Sequence, residues 1–187
     1  MVMINEILKD ATERMEKTLS ATKTELSRIR TGRANLALLD TVKVDYYGSK
    51  TPLKQVANLG VPEPRLITVQ PWDRSLLGEI EKALQKADLG ITPNNDGHVI
   101  RLPIPALTED RRKELVRLLH QMGEEGRIAV RNIRRDALDQ MKKAQKEGGI
   151  SEDEEYNGGI DVQELTDEYI KKIDESIKSK EEEIMEV

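Results

Sequence analysis

The sequence predicts an α+β fold: a long antiparallel three-helix bundle, interrupted after its first helix by a small inserted α+β domain. Three observations carry the prediction. All seven prolines lie between Pro52 and Pro105, together with the only tryptophan, Trp72, so the composition changes twice along the chain. On both flanks apolar residues recur every three or four positions, the spacing of one helical face. Between the flanks the period drops toward two, the alternation of a half-buried strand.

The first flank places Ile4, Leu8, Ala11, Met15, Thr22, Leu26 and Ile29 on one face, and Thr31-Gly32 stops the helix, Gly being the usual residue after a helix end. In the insert, Thr41 to Tyr47 alternates toward a Gly48 turn, Leu66 to Val69 is a short β-rich run, and Val99 to Leu102 follows the turn Asn94-Asn95-Asp96-Gly97. Ser75 to Lys86 reads as a helix with Leu76, Leu77, Ile80 and Leu84 inward and Asp73 as its cap. The second long helix starts after Thr108, a capping residue, with Glu109 and Asp110 in the first turn, where the helix dipole favours acids. Its stripe is Leu115, Leu118, Met122, Ala129, Ile133, Ala137, Met141 and Ala144, ending at Gly148-Gly149. Gly123 and Gly126 weaken it by up to about 1 kcal/mol each relative to Ala, so a bend is expected there.

Ser151-x-x-Glu154 is a capping box that opens the third helix, whose stripe is Val162, Leu165, Tyr169, Ile173, Ile177 and Ile184. Tyr156-Asn157-Gly158-Gly159 is poor helix sequence, which predicts a break or fraying there, with Asp161 as a new cap. Three helices with one apolar stripe each bury those stripes against one another in a bundle. The bundle takes residues 1–30 and 107–187 and the insert 31–106. Hinges are expected near 31–33 and 103–106, at Thr31, Gly32, Pro103 and Pro105, because few contacts should cross between two cores joined by two short crossings.

Composition narrows the function. The chain has no Cys, which rules out disulfides and thiol chemistry, and no Phe, so the cores rest on aliphatic residues and Met. The opening MVMINEILKDATERM lacks the apolar core of a signal peptide, and no stretch approaches the length of a membrane span, so a cytoplasmic protein with no membrane contact is expected. No phosphate loop or nucleophile–base pattern is present, and no enzyme activity or cofactor is expected.

The formal net charge is −5, yet residues 107–146 hold 11 Lys and Arg against 7 Asp and Glu, while residues 147–187 hold 4 against 15. The segment RIAVRNIRR places Arg127, Arg131, Arg134 and Arg135 within nine positions. At about 100° per residue, Lys113, Arg117, His120, Glu124, Arg127, Arg131 and Arg134 form a stripe roughly opposite the apolar one. Spacing alone also fits a solvated face paired with the acidic third helix. Two features favour phosphate binding. Positions 127–135 contain no acid, and arginine is the side chain whose planar fork grips phosphate bidentately. Arg28, Arg30 and Arg33 extend that surface if the bundle is antiparallel. The reading is an RNA-binding face with strong salt dependence. A protein-interaction adaptor or chaperone is the alternative.

Other candidates read as structural. Tyr46, Tyr47 and Trp72 fit a base-stacking platform, but in a Phe-free domain they are expected as core and rim. His98 and His120 lie in different domains without metal spacing. Asp96-Gly97 reads as turn chemistry.

RTGRANLALLD, VDYYGSKTPL, PWDRS, LGITPNNDG, IRLPIPALTEDRRKEL, RIAVRNIRRDA and QELTDEYIKKID, in that order over nearly the whole chain, resemble the bacterial ribosome recycling factor family. The resemblance implies an L-shaped monomer: a three-helix bundle and a β/α/β domain joined by a flexible hinge. It also implies a factor that binds the ribosome after termination and, with elongation factor G and GTP, splits it into subunits, freeing messenger and transfer RNA. Its partners would be large-subunit ribosomal RNA and elongation factor G, which spends the GTP. The implied RNA contacts fall on Arg30 and Arg33 in RTGRA and on Arg127, Arg131, Arg134 and Arg135, with Arg28 included. The chain departs from the family at 155–161, where a charged continuous helix would be expected, and at Gly123.

Overall fold

Three long helices account for the flanks of the chain. In the computed structural model, which describes residues 2–186, α1 spans Val2–Ser27, α2 Leu77–Lys86, α3 Glu109–Lys146 and α4 Glu152–Met185. The chain up to Arg30 with Glu109–Glu186 forms one compact unit, and Thr31–Thr108 forms another.

In the helical unit the contacts fix both direction and register. Arg14 meets Asp136 and Thr22 lies against Gly126, so α1 and α3 run antiparallel. Arg127 meets Asp174 and Met141 lies against Gly158, so α3 and α4 do too. Tyr169 donates to Glu16 at 2.8 Å, and Ile4 lies against Gly158, which makes α4 parallel to α1. The inward faces are Ile4, Ile7, Ala11, Met15, Leu19, Thr22 and Leu26 on α1, and Val162, Thr166, Tyr169, Ile173, Ile177 and Ile184 on α4.

The glycines overturn two expectations, the α3 stripe and the break in α4. α3 is unbroken, and Gly123 and Gly126 are buried in its inward face. A Cβ on Gly126 would come to 3.1 Å from Thr22 Oγ1 and 3.2 Å from Ile173 Cδ1. These positions carry close helix approach, and the packing they allow outweighs their weak propensity. The face therefore runs Leu115, Leu119, Gly123, Gly126, Val130, Ile133, Ala137, and the expected stripe members Leu118, Met122 and Ala129 fall beside it. Two inward positions without side chains hid the true period.

α4 is likewise continuous through Tyr156-Asn157-Gly158-Gly159, with no second cap at Asp161. Gly158 is buried where a Cβ would stand 3.0 Å from Met141 Sδ, so tertiary contact holds helical a segment of poor propensity. The capping box forms as expected: Ser151 Oγ accepts from the Glu154 amide at 3.2 Å, and Glu154 Oε2 accepts from the Ser151 amide at 2.8 Å. α3 ends with Gly148 at φ +75°, its amide on Gln145 O and that of Gly149 on Ala144 O, a Schellman closure.

The smaller unit holds a hairpin, β1 (Lys43–Tyr46) with β2 (Ser49–Pro52), turned by Tyr47 and Gly48, both at positive φ. A four-stranded antiparallel sheet follows in the order β3 (Ala57–Glu63), β4 (Leu66–Pro71), β6 (Ile100–Pro103), β5 (Asn94–Asn95). The core gathers Val44, Leu53, Ile67, Val69, Ile80, Leu84, Ile100 and Leu102. Asp73 Oδ1 accepts from the Ser75 amide at 2.9 Å, and a 3-10 turn over Arg74–Leu76 leads into α2. β3 escaped sequence reading because it contains Gly60 and Pro62. It is an edge strand with a register shift between Gly60 and Glu63, where Pro is tolerated. Asn94 and Asn95, read as turn, pair with Arg101 and Ile100 instead, which leaves Asp96-Gly97 as the turn.

The glycines give opposite signs on substitution. Gly126→Ala should lower stability by about 1–2 kcal/mol, because Thr22 and Ile173 are β-branched and cannot move aside cheaply. Gly159→Ala should raise it by up to about 1 kcal/mol, since its Cβ would meet only Leu138 Cδ2, at 3.7 Å. Urea unfolding of the two variants beside the parent reads both.

Candidate nucleic-acid interface

The arginine row is built by helix geometry. The seam of α3 through Val130, Ile133, Ala137 and Met141 is buried, and Arg127, Arg131 and Arg134 lie on the flank of that seam that faces α4. The row therefore runs beside α4 and not opposite the apolar stripe, as spacing had suggested. The cause is the misread stripe: once Gly123 and Gly126 belong to the seam, every outward position rotates with it.

Neighbouring anions and amides hold the row. Arg127 donates from Nε to Glu124 Oε2 at 2.9 Å and from Nη1 to Asp174 Oδ1 of α4 at 2.6 Å. Arg131 Nη1 donates to Glu124 Oε1 at 3.1 Å. Arg134 Nη1 reaches Gln163 Oε1 at 3.0 Å, and Arg135 Nη2 reaches Asn132 Oδ1 at 2.5 Å. The side chain of Arg127 is 21% exposed and that of Arg131 46%, so the first is pinned between helices and the second open to a ligand. Further along α3, His120 Nε2 lies 3.5 Å from Glu181 Oε2, and Lys113 pairs with Glu109 at 2.7 Å. The acid-free run 127–135 thus takes its carboxylates from one turn earlier and from the third helix.

The remaining expected residues are dispersed. Arg28 follows the end of α1, pairs with Glu25 at 3.2 Å, and is not brought into the row, because α1 packs on the other flank of α3, that of Asp136. Arg30 is exposed at the end of the helical unit, and Arg33 is half-buried in the smaller unit. Thr31 is buried and Gly32 sits at φ +78°, followed by the Ala34 amide on Pro64 O at 2.8 Å. Pro103 pairs with Leu66 at the end of β6, and Pro105 is exposed beyond it.

Tyr46, Tyr47 and Trp72 of the smaller unit are not core. Tyr47 is 84% and Trp72 74% exposed, while Tyr46 lies at the surface edge-on to Tyr47, with ring centroids 4.7 Å apart. Aliphatic side chains alone fill the small unit, which leaves the rings outside. Asp96 Oδ1 accepts from the His98 and Val99 amides at 2.9 and 2.8 Å, and Arg101 pairs with its other oxygen, as turn chemistry requires. Among the described residues no group of three or more His, Asp and Glu is placed to hold a metal, and no helix is long and apolar enough to cross a membrane.

A guanidinium presents a planar set of donors, and four in one row offer a grip on a phosphate backbone without any covalent step. Residues 22–185 match the family model described as ribosome recycling factor. A ribosome-recycling factor of Natranaerobius thermophilus is 55% identical over 181 residues, covering 97% of this chain and 98% of the relative. One of Bacillus licheniformis is 55% identical over 185 residues, covering 99% and 100%. A solution structure of a ribosome recycling factor aligns with a TM-score of 0.74 at 44% identity, over 98% of each chain. A Thermus thermophilus ribosome recycling factor, described in models of that factor and Escherichia coli elongation factor G bound to the Escherichia coli post-termination complex, aligns with a TM-score of 0.63 at 47% identity, over 97% of this chain and 98% of that one.

The hydrogen bond from Arg127 holds the Glu124 carboxyl below the 4.5 of an unperturbed glutamate, with Arg131 adding to the effect. A carboxyl depressed on folding contributes stability that is complete above its unfolded value and is lost as pH falls through its folded one. Carbon-detected NMR titration should place the Glu124 midpoint below 4.5, and Arg127→Gln should move it back toward that value.

Proposed function

Because the chain belongs to the ribosome recycling factor family, a family of translation factors and not of enzymes, we propose that it binds the post-termination ribosome and, with elongation factor G and GTP, promotes subunit splitting and release of messenger and transfer RNA. The observation that carries this reading is correspondence over 97% of the chain, at 47% identity, with a relative described in models of that factor and elongation factor G bound to a post-termination complex. The chain itself brings a binding surface and no hydrolytic machinery, so the GTP is spent by the partner.

The α3 arginines are the proposed anchor. Arg131 and Arg134 lie one turn apart on one flank of an unbroken helix, and Arg135 projects beside them. A rise of about 1.5 Å per residue spreads the forks from Arg127 to Arg135 over about 12 Å, which suits successive phosphates of a folded RNA and not a single anion. The smaller unit would then be displaced about the two chain crossings, after Arg30 and before Glu109, where the helical unit gives way to the sheet. Contacts between the ribosomal subunits break as it moves.

Polysomes stripped with puromycin, incubated with the protein, elongation factor G and GTP and resolved on a sucrose gradient, test both parts. The parent should convert polysomes to lighter particles. The double variant Arg131→Glu, Arg134→Glu should not, and its binding to large subunits should lose about two units of salt slope, one for each phosphate contact removed. Breakdown by both proteins would keep recycling and return the arginines to a solvated face. Failure of both, with active partners, would favour a protein-interaction adaptor.

A further inference from the structure

The arginine row divides into two halves with different electrostatics. Arg134 and Arg135 bond neutral amides, those of Gln163 and Asn132, which do not offset their charge. Arg127 and Arg131 are held by carboxylates: Glu124 bridges the two, and Asp174 takes the remaining side of Arg127. Two guanidinium groups and two carboxylates make that half locally neutral. A carboxylate and a phosphate both offer anionic oxygens to an arginine fork, so the donors now bonded to Glu124 and Asp174 are ones a phosphate would also use.

We propose that Glu124 and Asp174 are resident competitors of phosphate, which hold Arg127 and Arg131 in a binding-ready posture in the free protein, lower the affinity of the row for RNA, and recapture the arginines as the RNA leaves. The proposal rests on the RNA-binding reading of the row given above and adds to it the device that sets release. An arginine held by a carboxylate loses little further side-chain freedom on binding, but its partner must be displaced, so the carboxylates trade affinity for order. Asp174 is the only one of the two supplied by α4, so the competitor is assembled by packing of the third helix and is not encoded next to the arginines. Arg134 and Arg135 make the first, unopposed contact, and Arg127 and Arg131 engage when the local phosphate concentration is high enough to displace the carboxylates.

Binding of fluorescently labelled full-length protein to isolated large ribosomal subunits, with dissociation followed after addition of unlabelled protein, tests this. Glu124→Gln and Asp174→Asn should each tighten binding about threefold, the scale of an exposed ion pair, mainly through slower dissociation. The salt slope should steepen by up to about one unit per carboxylate removed. Glu125→Gln makes the same change in net charge on another face of α3, where Gln121 bonds the carboxylate, and should leave both quantities at the parent's values. If Glu125→Gln tightens binding as much as Glu124→Gln, net charge is the cause and the proposal is overturned. If Glu124→Gln gains nothing while Arg131→Gln weakens binding, the competitor role is overturned and the RNA anchor stands. If Arg131→Gln binds as the parent does, the anchor fails and the competitor role with it. Asp174→Asn removes a tie between helices, so its unfolding midpoint is measured alongside, and Glu124→Gln, whose partners lie on its own helix, decides the matter if that variant does not fold.

Discussion

The structure depends on how closely α4 and α1 can approach α3. Each helix has one narrow apolar stripe, and on α3 two positions of that stripe are glycine. Ile177 fits over Gly123, Ile173 and Thr22 close on Gly126, and Met141 occupies the space beside Gly158. These are contacts of side chain on backbone, which bring the helix axes nearer than leucine-on-leucine packing does. The polar surface follows from that distance. Asp174 reaches Arg127 at 2.6 Å, and Gln163 reaches Arg134, because α4 lies this close. A wider seam would leave the same residues in the sequence and no ordered row.

Burial and charge cooperate on the other side of α4 as well. Tyr169 is 4% exposed, and its hydroxyl donates to Glu16 of α1, while Lys172 lies over the ring at 4.6 Å and pairs with Glu168. Burial and the adjoining carboxylate raise the phenol above its ordinary value, so it remains a donor throughout the working pH range. A buried aromatic whose one polar atom is satisfied across the α1–α4 contact fixes register as well as adding area. Arg14 with Asp136 does the same across α1–α3, at the solvent edge, where an ion pair adds little stability but disfavours slippage.

Much of this was legible in the sequence. The capping box at Ser151, the Gly148 closure, the Asp73 cap and the Gly48 turn are local devices, and each was found where its residues stand. The inward residues of α2 were read without error because ten residues with no glycine in the stripe give an unambiguous period. Failures came where tertiary contact overrides local preference. Gly158-Gly159 has the composition of a break and is helix because Met141 and Ile4 pack on it. β3 has Gly60 and Pro62 and is a strand because β4 supplies its partner. The arginines were singled out by their spacing, but their flank was misplaced by the misread stripe, and the pairing of Arg127 with Asp174, 47 residues further on, is absent from any local window. Trp72 and Tyr47 were expected as core and rim because the domain lacks Phe, and they lie outside because the aliphatic residues already fill that core.

The continuity of α3 has a mechanical meaning. From Glu109, where the chain enters the bundle, to Arg127 runs five turns of uninterrupted helix, a strut of about 27 Å. The glycines at 123 and 126, which in isolation would make a soft spot, are braced on both sides by Ile177, Ile173 and Thr22. The residues that looked like the weakest link in the chain are therefore where side chains of the other two helices close on it.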